Sequence, residues 1–387
     1  MWIFSTQHLK GTILKLLIKS RIYSFFTFFI AIFFATACTA EPPYRFASEE
    51  QLIKSNNVGE QIDQVLVSQH MSGAFDGTVL IRKKDELIYR RVFGYSNREQ
   101  NKKNSVDTIS DIGSIAKSYT ATAILLLADR DELSLQDTLK KFYPDIPADK
   151  KDITLHQLLT HTSGLINFHS RNDFEQLSRQ NAENIIFKKT LRAQPGREYH
   201  YSNAGYTLLA SIIERVSKQS FESYVKKELL TPLNLVHTGW YQIQELNQHD
   251  IAFGYVNRDK GVRTFDKPFT WALKGGGGMV SSIEDMSAWL DALIAGTLFS
   301  DQMKKEIFQQ PALGRALGGW HWIEINNTPA IEIGGSTDYG YTAKLQYYPE
   351  SQISVILLFN GYSDKYGSRT HHIISNEILS SILINTN

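Results

Sequence analysis

Two groups of alternating apolar residues, near opposite ends of the chain, constrain its fold most. Phe75–Ile81 and Glu86–Tyr95 surround Lys83-Lys84-Asp85 and read as a β-hairpin. The same pattern returns after Gly318, at Gly319–Glu324, Ala330–Ile333, Tyr341–Tyr348 and Ile353–Phe359, with Ser351 in the turn Pro349-Glu-Ser-Gln between the last two. Residues from about 130 to 310 are mainly helical and loop-rich, broken by Pro144, Pro147, Pro195, Pro232 and the run Gly275–Gly278. Helical periodicity also covers Ala47–Met71, where Gly59 weakens the middle, and Ile373–Ile384 closes the chain as an amphipathic helix. Strands from both ends with helices between them predict a two-lobed α+β fold. One antiparallel sheet flanked by helices is built from N- and C-terminal segments, and a mainly helical lobe is inserted at about 114–310. No internal repeat or low-complexity segment is evident.

The charged residues nearly balance, with a net charge of +1 and no long basic or acidic run, which argues against nucleic acid and other polyanions as partners. The N-terminus has a different character. Lys10, Lys15, Lys19 and Arg21 precede the apolar stretch Ile22–Ala37, and small residues follow; this is the pattern of an export signal. The apolar core is short for a stable membrane span. Cys38, the single cysteine, follows Ala35-Thr36-Ala37 and resembles the lipidated residue of a bacterial lipoprotein box, although alanine stands where leucine is usual. Cleavage after Ala37 or Ala40 and an uncleaved anchor are the competing readings. The expected organisation is a signal at 1–40, a tether at 41–58 and one domain at 59–387, exported to the periplasm or cell envelope. A lone cysteine leaves no intramolecular disulfide.

Ser114 and Lys117, in Asp111-Ile-Gly-Ser-Ile-Ala-Lys117, carry the chemistry. They stand three residues apart where a polar stretch gives way to the apolar run Ala121–Ala128, so a helix places them on one face. A serine hydroxyl needs a nearby proton acceptor to attack a carbonyl. A lysine whose pKa is lowered by its surroundings can serve. Ser223 and Lys226 share the spacing, but their surroundings read as the solvated face of an amphipathic helix.

Four further segments separate the two pairs. They are Asp152–Leu165, containing Leu158-Leu-Thr-His161-Thr-Ser-Gly164; Pro195–Tyr206, containing Tyr201-Ser-Asn203; Leu230–Trp240; and Gly275–Met286. In that order, with the Ser114 motif, they resemble the serine β-lactamase and penicillin-binding protein family. The match is to its branch of class C β-lactamases, DD-carboxypeptidases, D-aminopeptidases and related esterases, from about residue 60 to the C-terminus. The resemblance implies Ser114 as nucleophile and Lys117 with Tyr201 as the proton-handling pair. Asn203 would orient lysine and substrate. Tyr95-Ser-Asn97 and Tyr255-Val-Asn257 share the Tyr-x-Asn spacing without the flanks. An oxyanion is expected between the backbone N–H of Ser114 and one from the edge strand carrying the third motif, where Gly335 and Ser336 lie.

That third motif departs from the family. Relatives carry Lys-Thr-Gly or His-x-Gly, whose basic residue helps dock a substrate carboxylate, whereas this chain reads Ile331-Glu-Ile-Gly-Gly-Ser336-Thr-Asp-Tyr-Gly-Tyr341. One alignment puts Ile333 at the basic position and the other Glu332. A cationic or neutral substrate is therefore favoured over a penicillin or a D-Ala-D-Ala terminus. His161 reads as part of a structural loop and His200 as facing away from Tyr201. His371-His372 lacks the partners of a metal site, so neither metal nor cofactor is expected. Trp320 and Trp322 fit the pocket or the core. The overall expectation is a serine hydrolase acting through an acyl-enzyme on a small-molecule or peptide ester or amide. A non-catalytic binding or assembly protein of the envelope is the alternative.

Overall fold

The computed structural model describes residues 47–48, 52–55, 57–257 and 259–383. The signal, Cys38 and most of the tether lie outside them.

The sheet forms as its apolar pattern requires. Its strands are β1 (Ile53–Lys54), β2 (Phe75–Lys83), β3 (Glu86–Phe93), β4 (Tyr255–Val256), β5 (His321–Ile325), β6 (Thr328–Ser336), β7 (Thr342–Tyr348) and β8 (Ile353–Tyr362). They run in the order β1-β3-β2-β8-β7-β6-β5, all antiparallel, with β4 pairing parallel to the end of β8. Pairing of β2 with β8 joins the two ends of the sequence, from Ile353 opposite Lys83 to Tyr362 opposite Phe75.

Alternation sorts the strand residues between two cores. Val355, Leu357 and Phe359 pack with α1 (Asn57–Met71) and the C-terminal helix through Ile62, Leu66, Ile374 and Leu379. Ile356 and Leu358 face the opposite way, into the larger core shared with the helical lobe. That lobe is organised by α2 (Ala116–Asp129), α3 (Leu155–Leu159), α4 (Arg179–Lys188), α5 (Asn203–Ser217) and α6 (Ile283–Ala295). Twelve of the fourteen residues of α2 are buried, so this helix is a central post of the lobe.

The N-terminal helix is shorter than its periodicity predicts. It starts at Asn57, and the chain before it runs along the sheet: Ile53 and Lys54 pair with Arg90 and Tyr89, and Ala47 bridges Phe93. The backbone groups on the outer edge of β3 need partners, and this segment supplies them. The closing helical stretch begins at Thr370, earlier than Ile373, with π-type turns over Ile373–Leu379. Among the described residues no helix is long and apolar enough to cross a membrane.

Candidate active site

Ser114 lies in a single 3-10 turn, Gly113–Ile115, that leads directly into α2. The turn is held from behind by Asp111, a buried carboxylate. It accepts the Gly113 N–H at 2.8 Å, the Thr264 hydroxyl at 2.9 Å and a short hydrogen bond from Tyr241. Burial pushes the Asp111 pKa up, and these three donors oppose the shift.

Lys117 follows one turn later and is 1% exposed. Its Nζ donates to Ser114 Oγ at 3.1 Å and to the Gly276 carbonyl at 2.5 Å. The glycine run is thus folded against α2: Gly275 accepts from Thr120 at 2.8 Å, and a Cβ on Gly275 would lie 2.3 Å from the Tyr206 carbonyl. Backbone must pass where a side chain cannot fit.

Tyr201 approaches from the other side, with its Oη 2.7 Å from Ser114 Oγ. It immediately precedes α5, whose N-cap Ser202 accepts the Gly205 N–H at 2.9 Å. Asn203 opens that helix. Its Nδ2 donates to Asn167 Oδ1 at 2.9 Å, and its own Oδ1 lies 3.1 Å from where a Cβ on Gly276 would stand.

Strand β6 completes the wall. Gly113 and Gly335 let it pass against the Ser114 turn, since a Cβ on Gly113 would fall 2.7 Å from Ser336 N and one on Gly335 2.9 Å from Ser114 N. The backbone nitrogens of Ser114 and Ser336 therefore flank one narrow contact. Strand alternation then chooses between the two alignments of the third motif: Ile333 shares the face of Gly335, toward Ser114, and Glu332 lies on the other face. There Glu332 is engaged by Lys344 (2.6 Å), Gln346 (3.0 Å) and Asn376 (3.0 Å). Burial would raise the Glu332 pKa, but Lys344 and these donors more than offset it, so the carboxyl stays below its usual range. Lys344 is itself shifted down by burial, against the pull of Glu332.

Ser114, Lys117, Tyr201, Gly335 and Ser336 line one cavity of about 570 Å³. Phe168, Arg315, Asp338 and Arg369 are further lining residues, and the cavity extends past β6 to Lys344 and His371. Asn203 stands behind it, beside Lys117. Asn167 and Arg315 escape sequence reading because they meet their neighbours through contacts distant in sequence, and Asp111 because two of its three donors, Tyr241 and Thr264, are distant as well. Ser223 and Lys226 are exposed, with Lys226 paired to Glu245 at 2.5 Å. Tyr255 is engaged elsewhere, by Arg98 and Glu99. His200 pairs with Glu198 at 3.0 Å. Trp320 is buried in the core against Phe308. No cluster of three metal-ligating side chains occurs among the described residues.

A serine at a helix start, a buried lysine and a tyrosine thus converge between an antiparallel sheet and a helical lobe. The chain belongs to the Beta-lactamase family, whose profile matches residues 58–375. It is 32% identical over 254 residues to a Bacillus subtilis (strain 168) protein provisionally named penicillin-binding protein PbpX, covering 64% of each chain. It is 26% identical to Protein flp of Staphylococcus aureus (strain N315), over 82% of this chain and 66% of the relative. The chain thus spans just under two thirds of the length of these curated relatives. Among solved structures, the octameric penicillin-binding protein homologue from Pyrococcus abyssi superposes with a TM-score of 0.72 at 27% identity, over 85% of this chain and 78% of that one. D-amino acid amidase from Ochrobactrum anthropi SV3 superposes with a TM-score of 0.75 at 18% identity, over 86% of this chain and all of that one, and shares the fold.

Proposed function

We propose that this enzyme hydrolyses an ester or amide through an acyl-enzyme on Ser114. The contact that carries the reading is the double approach to Ser114 Oγ, by Tyr201 at 2.7 Å and Lys117 at 3.1 Å, on the wall of an open cavity. As Oγ bonds to the acyl carbon, its proton passes to the Tyr201–Lys117 pair, which returns one to the departing alcohol or amine. Water then adds to the acyl carbon, the proton path runs in reverse, and Ser114 is released with a carboxylic acid. The backbone N–H groups of Ser114 and Ser336 stabilise the oxyanion, each worth roughly 3–4 kcal/mol of barrier.

The finer substrate reading follows from the β6 wall beside Ser114; Asp338, Arg315 and Arg369 also line the cavity. Ile333 leaves an apolar surface beside the nucleophile, and Glu332 is occupied by Lys344, so no free carboxylate of β6 awaits a cation. A neutral acyl group, of an ester or of an amino-acid amide, fits that surface best. Activity on an amide is stated in the name of the Ochrobactrum relative, which gives this class some support. The basic and apolar N-terminal segment supports export, with Cys38 as the site of lipid attachment.

Mass spectrometry after incubation with a fluorophosphonate tests the central claim. An adduct on wild-type protein that disappears in Ser114→Ala is expected. No adduct, or one that survives the substitution, rules the mechanism out.

A further inference from the structure

His161 lies outside the cavity lining, is 0% exposed, and touches the chain on both sides of Tyr201. Its carbonyl accepts the His200 N–H at 2.8 Å, and its ring Nδ1 accepts the Ser202 N–H at 3.1 Å. The ring also packs on Tyr201, with centroids 4.5 Å apart, and on Tyr206 at 5.1 Å. One residue thus fixes the peptide groups before and after the tyrosine as well as one face of its ring. Its backbone is in the left-handed region, with φ at 59°, which few side chains other than Asn, Asp and His adopt readily.

We infer that His161 is a positioning residue for the reaction, a neutral clamp that holds Tyr201 Oη at hydrogen-bonding distance from Ser114. The inference rests on the acyl-enzyme reading, in which Tyr201 handles the proton of Ser114. A ring nitrogen that accepts a backbone N–H carries no proton, so the neutral ring holds its hydrogen on Nε2. Protonation of Nδ1 would set two donors against each other at Ser202 and place a cation close to Lys117. Nε2 is buried with no hydrogen-bond partner among the described residues, so Nδ1 anchors the ring. Pro195–His200 lies in loop, held elsewhere by the Gly196 N–H donating to the Thr162 carbonyl at 2.8 Å and by Arg315 Nε donating to Tyr199 Oη at 3.0 Å. A displacement of about 1 Å at such a centre costs up to about a hundredfold in rate.

Two substitutions probe the acceptor, and because Phe tolerates the left-handed backbone less well than Asn, the position of the ring hydrogen is read alongside them. His161→Phe keeps an aromatic ring and removes the acceptor, whereas His161→Asn keeps an oxygen at the Nδ1 position and tolerates the left-handed backbone. With a p-nitrophenyl ester as substrate, His161→Phe is expected to lower kcat by roughly ten- to a hundredfold with KM little changed, and His161→Asn to recover most of that loss. A His161→Phe enzyme with wild-type kcat, or a His161→Asn enzyme equally impaired, overturns the inference. Nitrogen NMR of the wild-type ring at neutral pH decides independently of how either variant folds. A hydrogen on Nε2 supports the clamp, and a hydrogen on Nδ1 overturns it. Because that measurement needs no substrate, a failed fluorophosphonate reaction would bring down the proposed chemistry and leave the clamp separately testable.

Discussion

Lys344 Nζ lies 2.6 Å from Glu332 Oε2, and the side chains are 2% and 7% exposed. Lys344 is the cross-strand partner of Gly334, and the His371 ring takes the space a side chain on Gly334 would fill, with its Nε2 2.5 Å from that Cβ position. Gln346 Nε2 and Asn376 Nδ2 donate to the same Oε2, each at 3.0 Å. Two buried charges in such a network support each other, and removing either leaves the other uncompensated. Lys344→Met is expected to destabilise the protein by about 3–5 kcal/mol in urea unfolding. Lys344→Met combined with Glu332→Leu should cost much less than the sum of the single changes. Additive losses would show that the pair is not an energetic unit.

Removing the Tyr201 hydroxyl tests the site without disturbing its packing. Tyr201→Phe keeps the ring against His161 and deletes the contact with Ser114. It should lower kcat by about 10²- to 10⁴-fold, the usual range for a general acid–base group, while the thermal midpoint changes little. Lys117→Met should have an effect of similar size. A Tyr201→Phe enzyme at full rate would assign the proton transfer to Lys117 alone.

Much of the frame is legible in the sequence because its signals are local. The hairpin around Lys84 and Asp85 and the turn before Ile353 follow from period-two alternation bounded by turn residues, and both fall within two residues of their expected ends on most strands. Ser114, Lys117 and Tyr201 are found because their flanks are distinctive. The edge strand at Ile53 is not legible, since two residues carry no period and their state is decided by the unpaired rim of β3. Nor can spacing reveal which of Ile333 and Glu332 faces the nucleophile. That follows from Gly335 packing on the Ser114 turn, a contact between residues more than two hundred positions apart. Asp111 and His161 are likewise recognised by what they hold.

The buried histidines give stability a distinct pH dependence. Burial, with Lys117 and Arg315 nearby, holds the His161 pKa well below 6.5; burial, with Lys344, His372 and Arg369, does the same for His371. Both are neutral in the fold, where His161 also faces Tyr199, Tyr201 and Tyr206. Above pH 6.5 the folded and unfolded states bind equally few protons at these rings, so they add no slope. Below 6.5 the unfolded chain takes up protons that the fold refuses, and stability falls by about 1.4 kcal/mol per pH unit for each ring until its folded pKa is reached. Glu332 acts in the same direction but only below about 4.5. His156, His169, His321 and His372 are also shifted down by burial and add to the slope, while Asp111, Asp173, Asp285 and Asp291, shifted up by burial, oppose it. In urea midpoints followed below pH 6.5, His161→Asn should remove one proton's share of the slope. An unchanged slope would mean that His161 is protonated in the fold.

Export and lipidation make a prediction outside the described residues. In a bacterial host supplied with labelled palmitate, the full chain should acquire label and Cys38→Ala should not. Label that persists in Cys38→Ala excludes attachment at that cysteine.

The missing basic residue can be restored, and only at one of the two positions. Ile333 faces Gly319 and the nucleophile side of β6, with a Cβ on Gly319 falling 3.8 Å from Ile333 Cδ1. A lysine there can extend its stem along the apolar wall and bring its ammonium into the cavity. Ile333→Lys is therefore expected to increase the rate of labelling by a fluorescent penicillin, whose carboxylate would gain a partner, by roughly tenfold for a gain of about 1.4 kcal/mol. Glu332→Lys points to the opposite face, sets two ammonium groups together with Lys344, and should destabilise the fold without improving labelling. Faster labelling by Glu332→Lys than by Ile333→Lys would reverse the assignment of strand faces. Stable labelling of the unmodified enzyme at a similar rate would show that β-lactam recognition here does not depend on a cation at that position.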